Sequence, residues 1–196
     1  MIASHADYKA YLEADRISLN RQRTLANWMF DDIWRFQRTL RKLEYLTNCK
    51  KNTLFRNLVK LVFIRQSVRL GFSIPINVFG PGLCIAHYGT IVVNGAARIG
   101  ANCCLHACVN IGTTAGKTHD APTVGDNCYI GPGAKLFGKI TIGSDMVIGA
   151  NAVVTKSFPD GSATLGGVPA KIISHNTSRG LLIKGHPGTC GTSEQS

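Results

Sequence analysis

The chain is 196 residues long, 44% hydrophobic, with a mean hydropathy of +0.05, which excludes a disordered or collagen-like polymer. Charged residues are sparse at 17% and glycines number 21, a balance that suits a turn-rich β architecture better than a helical bundle. A net charge of +11 points to a polyanionic ligand, nucleic acid or an anionic surface, and no run of about 18 uncharged apolar residues is present to span a bilayer.

The opening MIASHADYKAYLEADR is too acidic and polar for a secretory signal, so a cytoplasmic location is expected. Residues 1–70 read as a helical domain. Tyr8–Leu19, Thr24–Leu46 and Thr53–Leu70 carry apolar residues at helical spacing with almost no Gly or Pro between them. This half holds 14 Lys/Arg against 6 Asp/Glu, so +8 of the +11 lies here. Its last helix, LFRNLVKLVFIRQSVRL, reads as basic and amphipathic, fit to pack on its own protein or a neighbouring subunit, with a peripheral membrane contact as the alternative.

From Gly71 the periodicity changes. Apolar residues recur every six positions at Val93, Ile99, Leu105 and Ile111, then at Val124, Ile130, Leu136, Ile142, Ile148 and Val154. Glycines and small residues such as Cys103, Cys128, Ala134 and Ala152 fall at fixed offsets from them. A period of six fits neither an α-helix nor a meander. It predicts a parallel β-helix, in which each short strand supplies one inward aliphatic and then turns a corner, three hexapeptides making a triangular coil. The fold class is therefore α+β: a helical segment, then over residues 71–173 a left-handed parallel β-helix with one inserted loop. That loop lies within residues 113–123, because 13 positions rather than six separate Ile111 from Val124. Residues 174–196 form a polar, glycine-rich tail expected to be a frayed end.

Seven cysteines are present and no CxxC pair occurs. Only Cys103, Cys104 and Cys108 cluster, around His106, short of the two close ligand pairs that structural zinc uses, so they read as reduced, buried small side chains and no metal is expected. Of six histidines, His5, His175 and His186 lie in terminal segments and His106 reads as a wall residue. His87 precedes Val93 by six and so occupies an aliphatic slot by counting: either the register slips there or a role other than packing put an imidazole in place. His119 sits at the crest of the inserted loop. Carboxylates are scarce in this half, and Asp126 and Asp145 are explained by corner turns. No nucleophile elbow, Walker loop or dinucleotide fingerprint occurs, and nucleic-acid binding lacks aromatic residues interleaved with the basic ones.

The segments AHYGTIVVNGAARIG, VNIGTTAGKTHDAPTVGDNCYIGPGAKLFG and IGANAVVTKSFPDGSATLGGVPAKII resemble, in order, the serine acetyltransferase branch of the hexapeptide acyltransferases. The resemblance implies acetyl-CoA as donor, a trimeric core, and His87 as catalytic base with His119 beside it; a trimer with shared sites is expected, its basic N-terminal helices pairing trimers into a hexamer or resting on a membrane. It places Gly112, Ala134 and Ala152 along the thioester and pantetheine arm, with free N–H groups there to polarise the thioester oxygen, and Lys171 near the nucleotide. Three charged residues of that family are replaced. The aspartate before the base is Ala86, the aspartate that orients it falls at about Phe72, and the arginine before the loop histidine is Thr118. A zwitterion would be poorly held without them. The expected acceptor is accordingly a saccharide hydroxyl on a capsular or exopolysaccharide precursor. Serine O-acetylation is the alternative, and a non-catalytic trimeric scaffold the alternative of another class. With Phe72 in place of a carboxylate, Asn77 or a backbone carbonyl is left to orient His87.

Overall fold

The computed structural model describes residues 1–187. Cys190 and the last residues of the tail lie outside that range.

Four helices come first: α1 (His5–Ser18), α2 (Leu25–Phe30), α3 (Asp32–Asn48) and α4 (Thr53–Leu70). The single middle helix expected over Thr24–Leu46 is broken at Asp31, whose backbone is extended (φ −79°, ψ 101°) and whose carboxylate accepts the N–H of Trp34 at 2.8 Å. An N-cap whose carboxylate accepts the Trp34 N–H and pairs with Arg21 outweighs the apolar spacing that runs through it. Trp28, one of the apolar residues of that span, is consequently exposed, with the Arg38 guanidinium over its ring at 4.6 Å. Helix α4 is not amphipathic. Leu70 alone of its described side chains is buried, while Leu54, Leu58, Leu61, Val62, Ile64 and Val68 stand exposed around it. No helix among the described residues is long and apolar enough to cross a membrane.

The chain then visits three sheets in rotation. The first stacks β1 (Phe72–Ser73), β3 (Ile91–Val93), β6 (Asn110–Gly112), β9 (Lys135–Phe137) and β12 (Val153–Val154). The second stacks β4 (Arg98–Ile99), β7 (Thr123–Val124) and β10 (Thr141–Ile142), extended by bridges from Phe79 to Ile99 and from Ile142 to Phe158. The third stacks β2 (Cys84–Ile85), β5 (Cys104–Leu105), β8 (Tyr129–Ile130), β11 (Val147–Ile148) and β13 (Thr164–Gly166), with β14 (Lys171–Ser174) closing it antiparallel. Every other pairing is parallel, and each aliphatic of the six-residue series lies inside at 4% exposure or less. These are the coils of a parallel β-helix, and hexapeptide period and inward column are one observation.

The corners between the second and third sheets explain the recurring Asn and Asp. Asn102, Asn127 and Asp145 all have positive φ (53°, 56° and 58°), a conformation these short polar side chains tolerate. They bond in a ladder, Asn102 Nδ2 donating to Asn127 Oδ1 at 2.9 Å and Asn127 Nδ2 to Asp145 Oδ1 at 3.1 Å.

A buried ionic clamp fixes the helices to the first coil. Arg41, fully buried on α3, donates to the Asp15 carboxylate at 2.8 and 3.2 Å and to Glu44 at 3.0 Å. It also donates to the carbonyls of Phe79 and Gly80 at 3.0 and 2.7 Å. Asp15 accepts the N–H groups of Gly82 and Leu83, both at 2.9 Å, and Gln37 bonds Leu83 and Ile85 through both ends of its amide. Burial opposes the Arg41 charge, yet Asp15 and Glu44 raise its pKa above the ordinary arginine range. The helices and the coils share one apolar core.

The tail is not frayed as far as residue 187. It folds back along the Asn/Asp corner, toward α1. Ser178 is fully buried, its hydroxyl donating to the Asn127 carbonyl at 2.6 Å and its N–H to that of Asp145 at 3.2 Å. Further on, Gly185 N–H bonds Ser18 Oγ, and Asn102 exchanges two hydrogen bonds with the backbone of His186. The left-handed corners leave carbonyls and amides unspent, and the tail satisfies them. Ser178→Ala is expected to lower unfolding free energy by about 1–2 kcal/mol, read by urea denaturation, because it strips the part-buried Asn127 carbonyl of its donor.

Candidate active site

His87 is exposed, and the register does slip around it. Ile85 points inward from the third sheet and Val93 from the first, eight positions apart, where Leu105 and Ile111 are separated by six. The two extra residues widen this corner of the first coil, and His87 stands in it rather than in an aliphatic slot.

Among the described residues its imidazole makes no hydrogen bond, and its ring neighbour is His106, with centroids 5.5 Å apart. His106 sits at the same corner one coil on, half-buried, and its other side meets the ring of Tyr129 at 4.8 Å. The wall residue expected at 106 is thus also the ring neighbour of His87. Burial first, and then the charge of His87, lower the His106 pKa, so this ring is a neutral imidazole near physiological pH. The sidedness of the coil produces the strip: parallel register sets Cys84, Cys104 and Tyr129 opposite one another on the outer face, and the corner residues follow in step.

His119 lies on the exposed loop that leaves the other edge of the first sheet, after Gly112. Lys117 and Asp120 are paired across this loop at 3.4 Å, and its root borders a cavity of about 570 Å³ lined by Thr113, Thr114, Phe137, Gly138, Lys139 and Thr155. His87 and His119 therefore spring from opposite corners of one face of the chain, and no contact between the two rings occurs among the described residues.

The small residues are placed as follows. Ala134 and Ala152 stack one coil apart as their spacing of 18 predicts, but both are fully buried, and their N–H groups already bond Gly131 and Gly149 carbonyls at 3.2 Å. The free N–H groups expected there are absent from these two positions. Gly112 is small for a local reason as well: a Cβ there would lie 2.7 Å from the Phe137 ring. Lys171 is exposed on β14, five strand steps from β2, roughly 24 Å along the stack.

Nothing charged replaces the missing family residues. Phe72 is buried edge-on against Phe36 at 5.1 Å, and Ala86 and Thr118 carry no charge. Asn77 does not orient His87: it exchanges side-chain hydrogen bonds with Asn48 at 2.8 and 3.0 Å, with its own N–H on Glu44. Nor are all the cysteines buried, since Cys108 is exposed and Cys49 and Cys84 are half-buried. No cluster of three metal-ligating side chains occurs among the described residues.

Residues 121–156 match the bacterial transferase hexapeptide family (six repeats). The serine acetyltransferase of Mycobacterium tuberculosis is 41% identical over 102 residues, 50% of this chain and 43% of that protein, and the one of Helicobacter pylori strain 26695 is 40% identical over 90 residues, covering 44% and 52%. The crystal structure of serine acetyltransferase from Brucella abortus superposes with a TM-score of 0.70 at 25% identity, over 89% of this chain and 72% of that one. By sequence and fold, the chain resembles the serine acetyltransferase branch of the hexapeptide-repeat transferases. A serine acetyltransferase solved in complex with CoA also superposes on this hexapeptide-repeat chain, with a TM-score of 0.68 at 25% identity over 86% of this chain and 71% of the other. The chain spans about half the length of the sequence relatives it matches.

Proposed function

We propose that this protein transfers an acetyl group from acetyl-CoA to an acceptor hydroxyl, with His87 as general base. The observation that carries this is an exposed imidazole in a widened corner of a hexapeptide coil, backed by the neutral ring of His106. His87 takes the hydroxyl proton as the oxygen attacks the thioester carbon. The tetrahedral adduct collapses, the C–S bond breaks, and the imidazolium returns its proton to the leaving thiolate. His106 acts as a positioning residue, holding the base where a buried carboxylate would otherwise hold it.

The donor reading rests on relatives of this branch, one of them solved with CoA. Gly112 keeps the coil wall low beneath an extended pantetheine arm, Ala134 and Ala152 fill the interior beneath that wall, and Lys171 meets the phosphates at the far end. We place the coil in the left-handed class, which the six-residue period supports. Because His87 and His119 leave opposite corners of one face, a site that uses both takes them from two protomers, which supports a homotrimer.

L-serine is the better-supported acceptor, ahead of the saccharide expected from sequence, because the relatives named above are serine acetyltransferases. A saccharide is the second reading. It is favoured by the uncharged Ala86, Thr118 and Phe72 and by the His87–His106–Tyr129 strip, an aromatic shelf suited to the apolar face of a sugar ring. Thiol release from acetyl-CoA, measured in parallel with L-serine and with a panel of oligosaccharides, is expected to be serine-dependent. Turnover with a saccharide alone reverses the order of the two acceptors, and release with neither overturns acetyl transfer.

A further inference from the structure

The strands that deliver the base also carry two thiols face to face. β2 and β5 pair in parallel with Cys84 directly opposite Cys104 and Ile85 opposite Leu105. Because Ile85 and Leu105 point into the core, both cysteines project to the outer face, their Sγ atoms 3.2 Å apart. Neighbouring strands lie about 4.8 Å apart, inside the range of roughly 4.4–6.8 Å that disulfides span between Cα atoms.

We propose that Cys84 and Cys104 are an oxidisable dithiol that a small hydroperoxide closes to a cross-strand disulfide, suppressing acetyl transfer at His87. The chemistry divides the pair into two roles. The Cys104 S–H donates to Cys84, which lowers the Cys84 pKa, and the charge of Arg21 lowers it further; the same bond raises Cys104. Cys84, half-buried, is the nucleophile. Its thiolate attacks a peroxide oxygen, the O–O bond breaks, and a sulfenic acid forms as the peroxide is reduced to water or an alcohol. Cys104 sulfur then attacks Cys84 sulfur. The S–S bond forms, the S–O bond breaks, and hydroxide leaves with the Cys104 proton as water. Two thiols and one hydroperoxide thus yield one disulfide with no further reactant. Cys103 and Cys128 do not compete, because they lie in the core, where burial raises both thiols, Cys128 to about 12.

The link to function is positional and rests on the acetyl-transfer reading. His87 follows Cys84 by three residues and His106 follows Cys104 by two. Closing the sulfurs from 3.2 Å to a bond of about 2 Å draws the two strand ends together and shifts both rings of the strip. Cys84 is only half-buried, which leaves such a bridge open to attack by reducing thiols and suits a reversible modification.

The test uses the full chain, reduced and then treated with hydrogen peroxide, followed by alkylation and non-reducing peptide mapping beside an assay of acetyl transfer. The expected result is a Cys84–Cys104 linked peptide and a rate about tenfold to a hundredfold lower, both reversed by dithiothreitol. Cys84→Ala and Cys104→Ala are expected to keep the reduced rate and to resist peroxide. Absence of the linked peptide overturns the proposal, as does equal loss of rate in Cys84→Ala, which would point to the exposed Cys108. A linked peptide with an unchanged rate overturns the coupling to the site. If the reduced protein transfers acetyl to no acceptor, the functional reading fails, and mapping still reports whether the dithiol closes.

Discussion

His87→Ala is expected to lower kcat for acetyl transfer by about 10²- to 10⁴-fold, the usual worth of a general base, while the unfolding midpoint stays unchanged. The fold is spared because the side chain is exposed in a widened corner and its ring touches His106 alone among the described ring contacts. A scaffold that merely assembles would lose nothing, so a variant as active as the parent rejects the catalytic reading. The same substitution tests the shared site. His87→Ala and His119→Ala chains, unfolded together and reassembled, are expected to recover roughly a quarter of the parent rate, the fraction of interfaces that random assortment in a cyclic trimer leaves with both histidines. No recovery, or a monomer by light scattering, would place both groups in one protomer.

Arg41→Ala is the substitution with the largest expected cost to stability, about 3–5 kcal/mol, measured as a lowered midpoint and unfolding free energy in urea. The reason is the company it leaves behind. Asp15 and Glu44 are 0% and 2% exposed, and without the guanidinium two carboxylates face each other in the core while the carbonyls of Phe79 and Gly80 lose their donors. Asp15 keeps the N–H groups of Gly82 and Leu83, so the damage centres on the junction of α1, α3 and the first coil. A cost below about 1 kcal/mol would mean that water enters and solvates the pair, and that the clamp does not hold the helices to the coil. Because β2 follows Leu83 directly, a loosened junction is also expected to disturb His87, giving a lower rate under conditions where the protein remains folded.

The six-residue period carried most of the coil. Val93 through Val154 lie inside as the spacing requires, because an inward aliphatic is a demand each strand meets by itself, and a local demand leaves a local trace. The inserted loop was legible for the same reason, as a gap in the series, and His87 was legible as an imidazole where the count called for an aliphatic. What the count could not supply was the length of each corner. The two extra residues before Val93 turn His87 outward, and they also set which residues of successive coils face one another. Register between strands is decided by backbone hydrogen bonds across coils, not by neighbours along the chain, so the His106 ring beside His87 and the Cys84–Cys104 pair became visible only in three dimensions. The break at Asp31 and the docked tail have a similar origin. One depends on a capping bond that wins over apolar spacing, the other on the corner carbonyls of Asn127 and Asp145, which Ser178 takes, and on the side-chain amide of Asn102, which the His186 backbone takes. The sequence by itself determined a hexapeptide coil, its loop and its candidate base. The tertiary structure alone decided what stands against that base, because side chains one coil apart are joined only by the pairing of strands.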